Sequence, residues 1–224
     1  MTMQIAIQAR DGFVFASDTR IRTGADRVSV RAAPDAIVGQ SKVRISKRHN
    51  VAVGLSGLPK LDADPLQEFV DYISGLIKVP DDLGEAIDGW GNEYQKRHGQ
   101  GWAFQLLIVN PNSDRESIWK VQVTNELTQA PGLGYRVNGN ETNGAIIWPE
   151  YCKCDSVPPP DVETAVNIAA LTILTGSELS SGVAGLEIWR YTDAWRRADR
   201  SELNAIGDRF KQLKNEIAKF IHAG

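Results

Sequence analysis

Long apolar runs, basic tracts and cysteine pairs are all scarce in this chain of 224 residues, and each scarcity removes a class of function. No run approaches the roughly 20 apolar residues that span a bilayer, and the start lacks the basic-then-apolar order of a secretory leader. The expectation is a cytoplasmic protein with no membrane partner. Lysine and arginine total 25 against 28 acidic residues, and the formal charge of −3 is spread over mixed-sign segments, so no basic field is present for nucleic acid. The two cysteines, Cys152 and Cys154, form one C-x-C pair without a second pair or a nearby histidine. Read as neighbours on one strand, they are poorly placed to bridge and too few for a zinc site, which leaves reduced thiols and no metal. The three histidines, His49, His98 and His222, fall on apparent turns and helix ends, which argues against a histidine-based triad. No internal repeat occurs, and Pro158-Pro159-Pro160 is the one low-complexity piece. With 42% hydrophobic residues the composition is that of an ordinary globular protein, read as a single domain over 1–224 in which 194–224 forms a C-terminal helical extension.

What is present begins with alternation. Gln4 to Ala9 is β-compatible, Arg10-Asp11-Gly12 is a turn and Phe13 to Ser17 is a second apolar run, so the chain opens with a tight hairpin. Arg22 to Gln40 is polar, holds Gly24, Pro34 and Gly39, and reads as a loop. Lys42 to Ser46 and Val51 to Ser56 read as two further strands around the basic turn 47–50, a second hairpin expected to pair with the first. Helical spacing over Asp62 to Val79 puts Leu66, Phe69, Val70, Ile73, Leu76 and Ile77 on one face, and a second helix runs from Asp81 or Asp82 to His98 through Leu83, Ile87, Trp90 and Tyr94. These two helices are expected to cover one sheet face. Trp102 to Val109, Ser117 to Thr124 and Tyr135 to Val137 read as strands of a second sheet, whereas Asn138 to Cys152 has no clear period. A helix from Val162 to Leu174, a closing strand from Val183 to Arg190 and a helix capped by Ser201 complete the order. That last helix carries a stripe of Leu203, Ile206, Phe210, Leu213, Ile217, Phe220 and Ile221. The element order predicts an α+β fold of two packed antiparallel-rich sheets with helices outside.

A strand that starts at the N-terminus ties down an end that normally frays. If Met1 were removed, Thr2 would present a hydroxyl together with its own α-amine, a base of pKa roughly 7.7 to 8.0. One residue would then supply both nucleophile and base. Thr2 to Arg20, with Asp11-Gly12 in the turn and Asp18 just before Thr19-Arg20, resembles without a gap the opening of a proteasome β-type subunit. Lys42-Val-Arg-Ile resembles that family's catalytic lysine and the strand after it, and Val51 to Gly57 resembles the strand ending in the oxyanion-hole glycine. Glu178-Leu-Ser-Ser181-Gly182 is similar to the Asp-x-x-Ser-Gly stretch that supports the threonine. The resemblance covers most of residues 2–192. It departs in the length of 22–40, in one inserted residue between Lys42 and Gly57, in Glu178 where the family has Asp, and in Gly132-Leu133-Gly134 where many members place serine between glycines.

The resemblance implies the four-layer αββα sandwich of the N-terminal-nucleophile (Ntn) hydrolases and a threonine endopeptidase that needs no cofactor. Thr2 would attack, Lys42 would depress the basicity of the amine and hydroxyl, Asp18 would aim Lys42, and the Gly57 N–H, with Ser56 or Gly54 as the alternatives, would stabilise the oxyanion. Ser181 and Glu178 would support the threonine. Taken alone, each is bland: a residue after the initiator, a strand-edge lysine, a strand-end carboxylate and a turn glycine. The implied partners are identical subunits in a ring or stacked rings and a peptide or unfolded-protein substrate, with any unfolding partner unspecified. Two other readings stay open. One is a non-catalytic ring subunit, although that α-type chain is expected to carry a helix before its first strand; the other is an Ntn amidase or ligase acting on a small substrate.

Overall fold

The computed structural model describes residues 2–19, 41–58, 64–79, 83–99, 103–113, 116–124, 127–132, 134–139, 146–179 and 185–222. The opening hairpin is there: β1 (Met3–Ala9) pairs with β2 (Gly12–Ser17) in the register Gln4 to Ser17 through Ala9 to Gly12. The second hairpin, β3 (Val43–Ser46) and β4 (Val51–Leu58), does not pair with it. Instead it starts the other sheet, continued by β5 (Ala103–Val109), β6 (Ile118–Val123) and β7 (Leu127–Gly132) in the order β3-β4-β5-β6-β7. The next strand, β8 (Tyr135–Gly139), was expected beside β5 and β6 but returns to the first sheet and pairs with β1. With β9 (Glu187–Tyr191) and β10 (Trp195–Arg197), that sheet has the order β10-β9-β2-β1-β8. Each strand pairing is antiparallel.

The two-residue period of the strands separates the layers. On β1 and β2, Met3, Ile5, Ile7, Val14 and Ala16 face outward to α4 (Val162–Leu179), while Ala6, Phe13 and Phe15 point into the gap between the sheets. On β4, β5 and β6, Val53, Leu106, Ile108 and Val121 face α1 (Pro65–Gly75) and α2 (Leu83–His98), while Ala52, Leu107 and Ile118 meet Phe15 in the gap. The molecule is therefore an αββα sandwich. The outer cluster is centred on aromatics, with Phe69 edge-on to Trp90 at 5.1 Å, and each such fully buried side chain contributes about 1.5–3 kcal/mol of burial free energy.

The helices have local causes. Asp64 caps α1 by accepting from Gln67 N at 3.1 Å, and Pro65 takes the first position, where its missing N–H costs nothing. The helix stops at Gly75, not Val79: Leu76 is extended and its N–H turns back to Ile73 O at 3.1 Å, which leaves Ile77 in solvent rather than on the buried face. The C-terminal helix α5 (Arg200–His222) starts two residues earlier than a cap at Ser201 implies. Asp199 Oδ1 accepts from Glu202 N at 2.9 Å while Glu202 Oε2 accepts from Asp199 N at 2.8 Å, a reciprocal capping box. Short α3 (Ile147–Tyr151) occupies the stretch without a period, and Cys152 and Cys154 lie in the turn behind it, not on a strand. Both thiols are free; burial pushes Cys154 up to about 12. Arg20, the 22–40 segment, Leu133 and Ser181 lie outside the described residues. No described helix is long and apolar enough to cross a membrane.

Candidate active site

The gap between the sheets is apolar around Phe13, Phe15, Leu107 and Val109, and becomes polar toward the start of β1, where Gln4, Ser17, Asp18, Lys42, Ser56 and Asn138 are buried. Gln4 sits at the boundary. Its Nε2 donates to Ser17 Oγ at 3.3 Å and to Lys42 O at 3.4 Å, and its Oε1 accepts from Asn138 Nδ2 at 3.3 Å, linking both sheets. Gly54 permits this approach, because a Cβ there would stand 2.6 Å from Gln4 Nε2 and from Phe15 Cζ.

Antiparallel pairing brings the residue before β1 beside the residue after β2. Asp18 N donates to Met3 O at 3.0 Å, and Met3 N donates back to Asp18 Oδ1 at 2.8 Å, so the carboxylate is fixed on the backbone that carries Thr2. Lys42, immediately before β3 on the facing sheet, reaches across. Its Nζ lies 2.8 Å from Asp18 Oδ2 and donates to Thr2 Oγ1 at 3.1 Å. Asp18 is 0% and Lys42 7% exposed, so the pair is held out of bulk water, where charge interactions are strong and geometry decides their sign.

Gly57, at the end of β4, stands with Thr2 in the wall of a cavity of about 340 Å³ that also includes Ser56, Phe104, Gln105, Gln122 and Gly139. Its φ of +100° suits glycine, and a Cβ would stand 2.8 Å from Phe104 Cα. Gly139, at the end of β8, has φ +99°, and a Cβ there would stand 1.8 Å from Thr2 O. The Asn138-Gly139 dipeptide is a turn signal that could have marked this position. Gly134 O accepts from Gln8 N, at the far end of β1, about 17 Å from Gly139 at roughly 3.4 Å of strand rise per residue. Gly134 therefore lies at the end of β8 remote from Thr2.

The structure thus brings Thr2, Asp18, Lys42 and Gly57 to one end of the sandwich. Glu178 is placed differently: on the last turn of α4, more than half exposed, it pairs with Lys214 of α5 at 3.0 Å. Sequence reasoning missed Glu187. This residue of β9 is fully buried, and its carboxylate accepts from Ser41 Oγ and from Lys42 N, each at 2.8 Å. Burial pushes its carboxyl above the usual range, opposed by the hydrogen bonds from Ser41 and the Lys42 amide and by the charge of Arg197. No three His, Cys, Asp or Glu side chains among the described residues cluster as a metal site.

Two antiparallel sheets between helical layers, with a threonine hydroxyl and a lysine ammonium meeting at the start of the first strand, define an Ntn-type αββα sandwich. No family model matches the chain, and no curated protein matches it. Among solved structures, Anbu (ancestral beta-subunit) from Yersinia bercovieri matches with a TM-score of 0.69 at 15% identity, over 98% of this chain and 96% of its own. Anbu from Hyphomicrobium sp. strain MC1 matches with a TM-score of 0.64 at 14% identity, over 97% of each chain. At such identity the likeness shows a shared fold. It also corrects the sequence resemblance: the neighbours are Anbu proteins, which are proteasome-like but a family distinct from the proteasome β-type subunits.

Proposed function

We propose that this protein hydrolyses peptide bonds with Thr2 as nucleophile once Met1 has been removed. The observation that carries the reading is the placement of Lys42 Nζ, 3.1 Å from Thr2 Oγ1 and 2.8 Å from Asp18 Oδ2. Thr2 Oγ attacks the scissile carbonyl carbon while the α-amine of Thr2 takes the hydroxyl proton. The Gly57 N–H stabilises the oxyanion. The C–N bond then breaks, the amine returns the proton to the leaving nitrogen, and water, deprotonated by the same amine, cleaves the Thr2 ester. Lys42 supplies positive charge beside the hydroxyl throughout, and Asp18 holds that charge in place. Ser181 retains a supporting role in this scheme, and Glu178 does not. The test pairs intact mass with a panel of fluorogenic peptides. Hydrolysis is expected from protein whose mass corresponds to a Thr2 N-terminus, and a homogeneous Thr2 form that turns over none of the panel would remove the reading.

We further propose that the active form is an assembly of identical subunits, with α5 as one contact. Ile206 is buried against the sandwich, but the stripe continues into solvent through Leu213, Ile217, Phe220 and Ile221, the last two 84% and 66% exposed. A row of that kind is ordinarily covered by a neighbour. Ile217→Asp with Phe220→Asp is expected to give folded, smaller species by light scattering, because neither side chain contributes to the core. An unchanged mass would exclude α5 from the contact.

A further inference from the structure

Glu187 is a fully buried carboxylate on β9 of one sheet, but its bonds go to the start of β3 in the other. Oε1 accepts from Lys42 N at 2.8 Å; Oε2 accepts from Ser41 Oγ at 2.8 Å and from Trp189 Nε1 at 3.4 Å, with Arg197 Nη2 at 3.3 Å. A carboxylate kept from water costs several kcal/mol unless its oxygens are satisfied, so a site that satisfies both from elements so far apart in sequence is a built one. We propose that Glu187 is the positioning residue for Lys42, a latch that fixes the backbone from which the lysine side chain reaches Thr2 and Asp18; this rests on the hydrolase reading above.

The geometry favours a latch over a charge. Lysine carries four rotatable bonds, so its head is placed only as well as its backbone is held. Beyond Lys42 the chain enters β3, which among the described residues is an edge strand with one neighbour. The bonds to the other side of Lys42 are long: Leu55 N and Gln4 Nε2 reach its carbonyl at 3.3 Å and 3.4 Å. The short bond at its amide is the one from Glu187. A displacement of about 1 Å here is enough to separate an ammonium from a hydroxyl and cost on the order of a hundredfold in rate.

Two substitutions separate these roles. Glu187→Asp keeps the charge but is one methylene too short for Lys42 N. Glu187→Gln keeps the reach: its oxygen can accept from Lys42 N and its amide can donate to Ser41 Oγ, whose own proton then goes to Val43 O, 2.7 Å away, while the longer contacts of the donors Trp189 Nε1 and Arg197 Nη2 at that position are given up. The measurements are the rate at which an amine-reactive reagent labels Lys42, read by mass spectrometry in the folded protein, and kcat and KM on a fluorogenic peptide. For Glu187→Asp, labelling of Lys42 is expected to rise about tenfold or more and kcat to fall by a similar factor, with KM within about twofold. Glu187→Gln is expected to stay within about threefold of the unsubstituted protein in both. The reverse order, equal damage from both, or no change in either overturns the latch. Should Glu187→Asp not fold, Glu187→Gln decides alone: slow labelling of Lys42 supports the latch and fast labelling overturns it. If the unsubstituted protein hydrolyses no peptide, the hydrolase reading fails, while labelling still judges the latch.

Discussion

Thr2→Ala is expected to abolish peptide hydrolysis, and protein that retains Met1 is expected to be equally inactive. The two losses have separate causes that meet in one residue. Alanine removes the attacking oxygen, the group within 3.1 Å of Lys42 Nζ, whereas an uncleaved Met1 turns the proposed base into an amide that cannot accept a proton. Residues that act as one unit lose nearly everything when either part is removed, so both forms should fall by about 10⁴-fold or more. Thr2 is half-buried and contributes little apolar contact, so thermal unfolding of Thr2→Ala should stay close to that of the unsubstituted protein. Thr2→Ser should retain part of the activity, because the hydroxyl and the amine both remain. Peptide turnover by homogeneous Met1-bearing protein would show that the base lies elsewhere.

The second large effect is at the buried pair. Lys42→Ala should cost at least about a hundredfold in kcat/KM, since a charge preorganised beside the reacting oxygen is removed. Unlike Thr2→Ala, it should also destabilise the fold. Asp18 is fully buried, and removing the ammonium 2.8 Å from its carboxylate breaks a buried ion pair, a loss of about 3–5 kcal/mol in comparable pairs. Asp18→Ala should lower activity similarly. The double substitution should be no less active than the worse single one, and more stable than Lys42→Ala, because the buried carboxylate is removed together with the ammonium. Peptide kinetics and chemical unfolding of the three variants check this. Strictly multiplicative rate losses with additive stability losses would mean that the two side chains do not work as a pair.

The strand ends that carry this site could be read from residues alone and their roles only through the family resemblance, and the limits of that reading have physical reasons. Asp18 and Lys42 flank strands whose alternation and turn chemistry are local, so their positions at strand ends follow from short stretches of sequence. Which sheet a strand joins is a non-local property. The period of two in β3 and β4 says which side chains share a face and nothing about the partner, and this is why the second hairpin was expected beside the first. β7 carries Pro131 and few β-branched residues, β10 has three residues and α3 has five, all too short or too atypical for periodicity to register. The α1 stripe overran because Leu76 and Ile77 keep the helical spacing after the backbone has already turned extended at Leu76. Glu187 was hidden for a related reason. In Glu-Ile-Trp-Arg-Tyr an acidic residue at a strand start reads as a solvent-facing position, and only the docking of the two sheets encloses it beside Ser41 and Lys42.

The split origin of the site between two sheets bears on when the chain can first act during its own synthesis. Thr2 and Asp18 meet in a hairpin closed by a short turn, which forms early and locally. Lys42 and Gly57 arrive on the opposite sheet, and Glu187 is translated more than a hundred residues after either. Thr2 therefore emerges from the ribosome long before the Lys42 ammonium can be fixed beside it. Under the proposed hydrolase function, a half-made or misdocked chain would hold the threonine and the amine without the arrangement that makes them reactive, and nascent polypeptides would be spared until the sandwich has shut.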